Sequence, residues 1–476
     1  MKNDPSEPMQ EYLNLVETLT LPHALLGGTK AMRAAGEQFL PREDRETPKD
    51  YQARLKRSFL FGGYERTVSI LTGEIHDKPV TLQEKTPNEF EDIAFNIDNL
   101  GNNLTRFSKE FCEQAISNGS GHILIDAPPL PQDANGNEIS TTQADDKTLN
   151  RRPYWVHIPA GSLIGAKFDD QNILSQIRIR ETIQEDDGLF NTKTVEQIRV
   201  IVPGTWEIYR KAEKSGTAEN EWVLYQTGST PLKRITLVSL FTGRKVSKHT
   251  AKPPLTGLAE LNQQHWVSSS DQNNILHVAR VPILFGKMLQ VDDNGRVVVS
   301  IQNLLHSTDP SGSLEYVEHS GAAMADGWKD LEKIKEAMAL WGLELISSDR
   351  SGDITATERA MTGAKTGSFL NAVALDLQDC LNSAIEITCE MLGVEFQGGA
   401  VVNTDFSLSL SNFDTGTLLN AFKIGVLDRT TCIDEMKRRG LINDNADPVE
   451  IAAAISNESS GSFGVLGSSL LTGTGV

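Results

Sequence analysis

LTGLAELNQQHWVSSSDQNNILHVA, Leu255–Ala279, and MADGWKDLEKIKEAMALWGLELI, Met324–Ile346, decide how the chain is read. Both carry helical patterns. Pro253 and Pro254 stop any earlier helix, and Pro282 closes the first of the pair, because proline lacks the amide proton a helix interior needs. In the second segment Met324, Leu331, Met338 and Leu345 recur every seven residues, and Trp328, Ile334 and Trp341 fill the same side. The result is a narrow apolar stripe among charged residues. A helix of this length reaches about 35 Å. Between them, Arg280–Gly321 has β character: VPILFG, RVVVSI and LEYVEH are strand-like, and Asp293-Asn294-Gly295 is a hairpin turn signal. Two long helices around a small β excursion read either as an antiparallel pair packed inside a globular domain or as a projecting stalk with a tip. The stripe is too narrow for a deeply buried pair, which favours packing against other copies of the chain.

Upstream, residues 1–120 read as mostly helical. Thr47 can cap a helix with Pro48 at its first position. Tyr51, Leu55, Phe59 and Leu60 sit at helical spacing, continued by Val68, Leu71 and Ile75 past Gly62-Gly63. Leu104–Ser117 predicts a helix with Phe107, Phe111 and Ile116 inward, and GHILID, Gly121–Asp126, a strand. Residues 132–152 read as an exposed loop. From Arg152 to Lys245 the pattern turns to β: YWVHIP, QIRIRETI, EQIRVIVPGTWEIYRK and EWVLYQ predict an antiparallel meander.

Downstream, Ser347–Asp353 is a polar loop. Thr355 and Glu358 form a capping box opening a helix that runs to Leu392, with Leu370, Val373, Leu377, Leu381, Ala384 and Met391 on its apolar face and Gly363 and Gly367 as weak points. Gly393 ends it. Val402–Ser411 alternates like a strand. LLNAFKIGVL and RTTCIDEMKRRG read as short helices, and residues 456–476 as a Ser/Gly-rich tail.

The chain has 476 residues and a net charge of −19. That acidity argues against tight, sequence-independent capture of nucleic acid, which depends on neutralising phosphates with Lys and Arg. No apolar run is long enough to cross a membrane. The N-terminus is polar and acidic, unlike a signal peptide. Cys112, Cys380, Cys389 and Cys432 are scattered without a CxxC pair, as in a reduced cytosolic protein with no metal site. No catalytic constellation is found. Gly119-Ser120-Gly121 lacks the lysine of a phosphate loop. His265 and His277 lie twelve residues apart and read as ordinary helix residues. Asp133–Glu138 lacks the distal glutamate of a calcium loop. The sequence therefore points away from an enzyme and from any cofactor.

The order of parts resembles the portal, or head-to-tail connector, proteins of tailed bacteriophages. The resemblance is carried by GGTKAMRAAGEQFLP (Gly27–Pro41), YQARLKRSFLFGGYERTVSILTGEIHDKPV (Tyr51–Val80), VIVPGTWEIYR (Val200–Arg210), LAELNQQHWVSSSDQNNILHVARVPILF (Leu258–Phe285), WGLELISSDRSGDITATERA (Trp341–Ala360) and LNAFKIGVLDRTTCIDEMKRRGLI (Leu419–Ile442). It implies an α+β, mainly helical fold with wing, stem, clip and crown regions. Residues 1–254 would form the wing, helical over 1–120 and β-rich over 152–245. Residues 255–279 and 323–346 would be the stem helices, with 280–322 the clip between them. Residues 347–354 would be the tunnel loop, 355–393 the long wing helix, 394–455 the crown and 456–476 the tail.

The resemblance further implies a non-enzymatic subunit of a dodecameric ring at one capsid vertex, acting in genome packaging, retention and ejection. Its partners would be the large terminase subunit, the major capsid and scaffolding proteins, the head-completion or adaptor proteins, and double-stranded DNA passing without sequence specificity. No membrane is involved. The location would be the virion, and host cytoplasm during assembly. DNA would face Asp349, Arg350, Ser351 and Asp353, with Arg350 the best phosphate contact. Terminase and adaptor would face Asp292, Asp293, Asn294 and Arg296. The stem would pack through Leu331, Met338, Trp341 and Leu345. Twelve such chains would carry roughly −230 in charge, a field that discourages DNA from adhering. The alternatives are another virion structural protein, such as an adaptor or minor capsid component, and an enzyme built on the β-rich region.

Overall fold

A computed structural model describes residues 4–129, 139, 145, 151–211, 222–230, 232–280, 283–287, 310–317, 322–343, 356–404, 406 and scattered positions from 420 to 436. The chain divides into two units, Met1–Phe406 and Ser407–Val476. The fold is α+β.

The first unit opens with α1 (Gln10–Leu26), α2 (Gly28–Ala35), α3 (Pro48–Arg57), α4 (Gly63–Ile75), a short strand β1 (Thr81–Leu82), α5 (Asn88–Ala94) and α6 (Leu104–Asn118). Thr47 caps α3, its hydroxyl accepting from the Asp50 amide at 3.2 Å, with Pro48 in the first turn. Asn103 caps α6 by accepting from the Arg106 amide at 2.9 Å. The helical spacing from Tyr51 does not run through to Ile75. The chain leaves the helix at Ser58 in extended conformation, which exposes Phe59 and buries Leu60 before α4 begins. Gly119 ends α6 at φ +79°, where a Cβ would sit 2.8 Å from the Ala251 carbonyl oxygen and the Pro253 nitrogen. Only glycine fits that conformation and that approach.

Two sheets follow. In the first, β2 (Ser120–Asp126) lies between β3 (Tyr154–Pro159) and β9 (Leu237–Phe241), all antiparallel. The second is a five-stranded antiparallel meander of β4 (Leu163–Phe168), β5 (Leu174–Asp187), β6 (Asn191–Val202), β7 (Thr205–Lys211) and β8 (Trp222–Ser229). The expected meander is thus divided: YWVHIP pairs with β2, and β4, which the sequence pattern did not mark, takes the edge. Glu185–Asp187 belongs to β5 and pairs with Lys193–Asn191. A small hairpin, β10 (Arg244–Lys245) and β11 (Ala251–Lys252), leads to the long helices.

These are α7 (Thr256–Ala279) and α8 (Ala322–Met338), separated by the antiparallel pair β12 (Ile283–Lys287) and β13 (Ser313–Val317). α8 continues as a π-helical segment, Ala339–Leu343. Next comes α9 (Ala356–Leu392), which runs through Gly363 and Gly367 and ends at Gly393 with φ +71°. Thr355 of the expected capping box lies outside the described residues. The expected strand from Val402 is displaced: β14 is Ala400–Val401, paired with β1, and Val402–Thr404 are not strand. Residues 456–476 and most of 394–455 beyond Phe406 lie outside the described residues.

A continuous apolar core joins α3, α4, α6, the inner face of the small sheet, α7, α8 and α9, through residues such as Tyr64, Trp155, Trp266, Met338 and Leu377. The opposite face of the small sheet packs on the meander through Leu124, Ile158, Ile177 and Ile179. In the second unit Asp428 accepts from the Thr431 amide at 3.1 Å and starts a helical turn over Thr431–Ile433, where Cys432 and Ile433 are buried.

Candidate functional site: the paired helices and their anchors

α7 is about 36 Å long at 1.5 Å per residue. The two helices run antiparallel, since Gln272 near the end of α7 donates to the Met324 carbonyl near the start of α8 at 2.8 Å. At the other end, Gly257 of α7 lies under the Trp341 ring, where a Cβ would be 2.9 Å from the indole. Gly327 allows the same closeness on α8: a Cβ there would be 2.1 Å from Gln272 Oε1. Leu331, Ile334 and Met338 of α8 are buried. Trp328 and Trp341 are not. They are 47% and 60% exposed, although their spacing predicted the same side as Leu331. The π segment re-aims the last turn and turns Leu340 and Trp341 outward. Leu345 lies outside the described residues.

Along α7, from Asn262 to Asn274, the pair is held by polar groups from the N-terminal helices. Arg54 of α3 is buried, and its guanidinium forks onto Glu46 with two bonds of 2.8 Å. It also donates to the Pro41 carbonyl at 2.7 Å and reaches Asp271 of α7 at 3.2 Å. Ser58 donates to Ser270 at 2.8 Å. Arg57 meets Asn274 at 2.9 Å. Asn262 of α7 accepts from the Tyr64 amide at 2.8 Å and donates to the Phe61 carbonyl at 2.9 Å. Five polar anchors thus fix α7 to α3, α4 and the chain between them. The Arg54 bond holds the Glu46 carboxyl below its usual range, whereas burial raises Asp271 despite Arg54 beside it. Sequence reasoning passed over Arg54. The available signal was its place between Tyr51 and Leu55 on the inward face of α3.

His265 of α7 is buried against Phe61, with ring centroids 5.2 Å apart and neither ring nitrogen bonded. Burial, and secondarily Lys335, push its pKa down to about 4. His277 is exposed. Ser120 is buried as the first residue of β2, so Gly119-Ser120-Gly121 is a helix stop and strand start. Cys112, Cys380, Cys389 and Cys432 are all free and buried. Among the described residues no group of His, Cys, Asp and Glu could hold a metal ion, and no helix is long and apolar enough to cross a membrane. Asp292, Asp293, Asn294 and Arg296 of the expected clip, and Asp349, Arg350, Ser351 and Asp353 of the expected tunnel loop, lie outside the described residues. So does Asp133–Glu138.

A family model described as a domain of unknown function, DUF4055, matches residues 254–391, which hold α7, the β12–β13 pair, α8 and nearly all of α9. No curated protein matches the chain. Among solved structures, the neck of a native gene transfer agent particle computed with C12 symmetry is similar over 84% of this chain and 97% of that one, at 11% identity and a TM-score of 0.43. The neck of an empty particle computed with C6 symmetry covers 80% and 90% at 11% identity, TM-score 0.44. The virion of the native particle covers 86% and 98% at 10% identity, TM-score 0.41.

Proposed function

We propose that the chain is the ring-forming portal subunit of a tailed, phage-like particle: a conduit for double-stranded DNA and a docking platform, without turnover of its own. The observation that carries this reading is the antiparallel helix pair with a β-stranded excursion at one end. It is braced along α7 by Arg54 and Asn262 and leaves Trp328 and Trp341 exposed. A monomeric enzyme has no use for tryptophans left in water on a long helix, whereas side-by-side copies around a ring would bury them. In this reading residues 255–279 and 323–346 are the stem, 280–322 the clip for terminase and then adaptor, and 347–354 the tunnel loop with Arg350 as phosphate contact. Residues 355–393 are the long wing helix, 394–455 the crown and 1–254 the wing. A net charge of −19 per chain suits passage of DNA and not its capture.

Negative-stain electron microscopy of the purified full chain, with mass from light scattering, tests the proposal. Rings with a central hole and a mass near twelve times 52.2 kDa are expected. A chain that stays monomeric even with its capsid and scaffolding proteins would overturn it.

A further inference from the structure

β9 is the outer strand of the small sheet. The order is β3–β2–β9, and among the described residues no strand lies beyond it. The ladder fixes which of its backbone groups are unpaired. The Ile125 amide donates to the Thr236 carbonyl at 2.9 Å, and the Thr242 amide to the Gly119 carbonyl at 3.0 Å. Bonded pairs alternate along an antiparallel ladder, so Gly121 with Leu240 and Ile123 with Val238 are bonded pairs too. Ser239 and Phe241 therefore turn their amides and carbonyls away from β2. None of these four groups has a partner among the described residues. An edge of this kind is a template for another strand.

The edge borders a cavity of about 360 Å³ between β9 and α9, lined by Ser239, Phe241 and Lys245 on the strand side and by Asp376, Asp379 and Ser383 on the helix side. Lys245, Asp376, Asp379 and Ser383 are exposed, so the slot is open along its rim. Ser239 turns its hydroxyl to His122 at 2.8 Å, so what it presents to the slot is backbone. Walls of polar side chains and unpaired backbone suit a ligand that brings hydrogen-bonding groups of its own. α9 runs against β9: Glu390 pairs with Arg234 ahead of β9, and Lys245 beyond β9 acts on Asp376. Lys245 is thus engaged at the Phe241 end. Asp379, one turn further along α9 towards Ser239, makes no ion pair among the described residues.

We propose that the slot takes an extended, basic peptide segment of a partner protein, which adds to β9 as a fourth strand of the small sheet. The backbone pattern selects the ligand class. Ser239 and Phe241 offer an N–H and a C=O each, two residues or about 7 Å apart, and an extended peptide answers with the same repeat. The charge selects its side chain. With Asp376 already facing Lys245, the carboxylate left to complement is Asp379, which calls for one lysine or arginine on the helix-facing side of the added strand. Such a contact links the chain to a partner through the wing-side sheet and does not depend on how copies assemble.

The test adds a fluorescein-labelled seven-residue peptide, alternating threonine and valine with one central arginine, to the full chain at up to about 1 mM. Fluorescence anisotropy reads binding, and hydrogen–deuterium exchange with mass spectrometry reads where it binds. Saturable binding is expected, with exchange of amides in 237–245 slowed by about tenfold or more. Replacing every second peptide amide by an ester removes the donors on one side of its backbone. Of the two ester patterns, one should weaken binding by about tenfold and the other by less than about twofold. D379K should weaken the arginine peptide by about tenfold and favour the same peptide with glutamate in its place. No binding, unchanged exchange at 237–245, ester patterns of equal effect, or equal binding of the arginine and glutamate peptides overturns the proposal. So does protection of 237–245 that rises with protein concentration without peptide, since the occupant is then a second copy. None of these readouts requires a ring, so the ring reading stands or falls separately.

Discussion

Arg54 shows what one buried charge does when its partners are complete. Its fork onto Glu46, its bond to the Pro41 carbonyl and its reach to Asp271 satisfy the guanidinium inside a protein core. Removing it strands a carboxylate and a carbonyl without water. Arg54→Ala is therefore expected to destabilise the chain by about 3–5 kcal/mol in urea denaturation at pH 7. A loss under 1 kcal/mol would mean that water replaces the guanidinium. The buried histidines make the opposite case. His122, bonded to Ser239 and near His249 and His157, is pushed by burial to about 3, and burial alone takes His157 to about 4. His265 stands at about 4. Their folded pKa values lie below the unfolded 6.5, so below pH 6.5 the unfolded chain takes up protons that the folded chain refuses. Stability falls as pH drops from 6.5 towards 4, by about 1.4 kcal/mol per pH unit for each histidine. The lowered Glu46 titrates below 4.5, and the raised Asp271 acts in the opposite sense, so neither explains a loss between pH 6.5 and 5. His157→Leu, which keeps a side chain against Phe111, should shrink the loss between pH 6.5 and 5 by about 2 kcal/mol in denaturation curves. An unchanged slope would show that His157 is already charged in the fold.

At the scale of elements, the α7–α8 pair depends on a glycine. Gly327 lets Gln272 approach and bond the Met324 carbonyl. Gly327→Ala gains about 1 kcal/mol of helix propensity but pushes Gln272 off its bond. The net effect should be a loss of about 1 kcal/mol. In the Gln272→Ala background the same substitution should be neutral or stabilising. The thermal denaturation cycle of the two changes reads the coupling directly, and additive effects would refute the contact. This element was the most legible part of the chain, because Pro254 and Pro282 mark the bounds of α7 and Leu331 and Met338 mark the buried seam of α8. Other elements were less so. The exit from α3 at Ser58 carries neither glycine nor proline, and only tertiary packing of Leu60 decides it. β4 was hidden because Leu163–Phe168 is short, follows a Pro-Ala-Gly-Ser run and is buried through its first four residues, so no alternation shows. The partition of β3 from the meander is a choice of neighbour, which local pattern does not encode. Within the candidate site, Arg54 was missed for the same reason that Trp341 was misplaced. Residue type predicts preference for burial, and the partner that supplies or denies burial is remote in sequence.

For the whole molecule, the ring proposal makes that partner another copy. Trp328 and Trp341 fitted the buried stripe by spacing, yet the single chain leaves them exposed, together with Leu340. Apolar periodicity cannot distinguish a face buried within a chain from one buried between chains. The two are separated by experiment through Trp328, which sits on α8 at 47% exposure and makes no ring or hydrogen-bonded contact recorded within the described residues. If its burial comes from a neighbour, Trp328→Ser should change the unfolding free energy of the dissociated chain by no more than about 0.5 kcal/mol. The same substitution should raise the protein concentration needed for ring formation by about tenfold or more, since a central interface tryptophan commonly contributes more than 1.4 kcal/mol per contact. Light scattering across a dilution series reads the second quantity, and urea denaturation below the assembly threshold reads the first. A chain destabilised by several kcal/mol would place Trp328 in the core of its own subunit. Rings that form at the wild-type concentration would place the subunit boundary elsewhere on the stalk. With 64 acidic residues against 45 basic ones, neighbouring copies also repel one another, so assembly should strengthen as salt screens that field. Repeating the dilution series at low and physiological salt separates the two effects: the Trp328→Ser deficit persists at both, whereas the charge term fades.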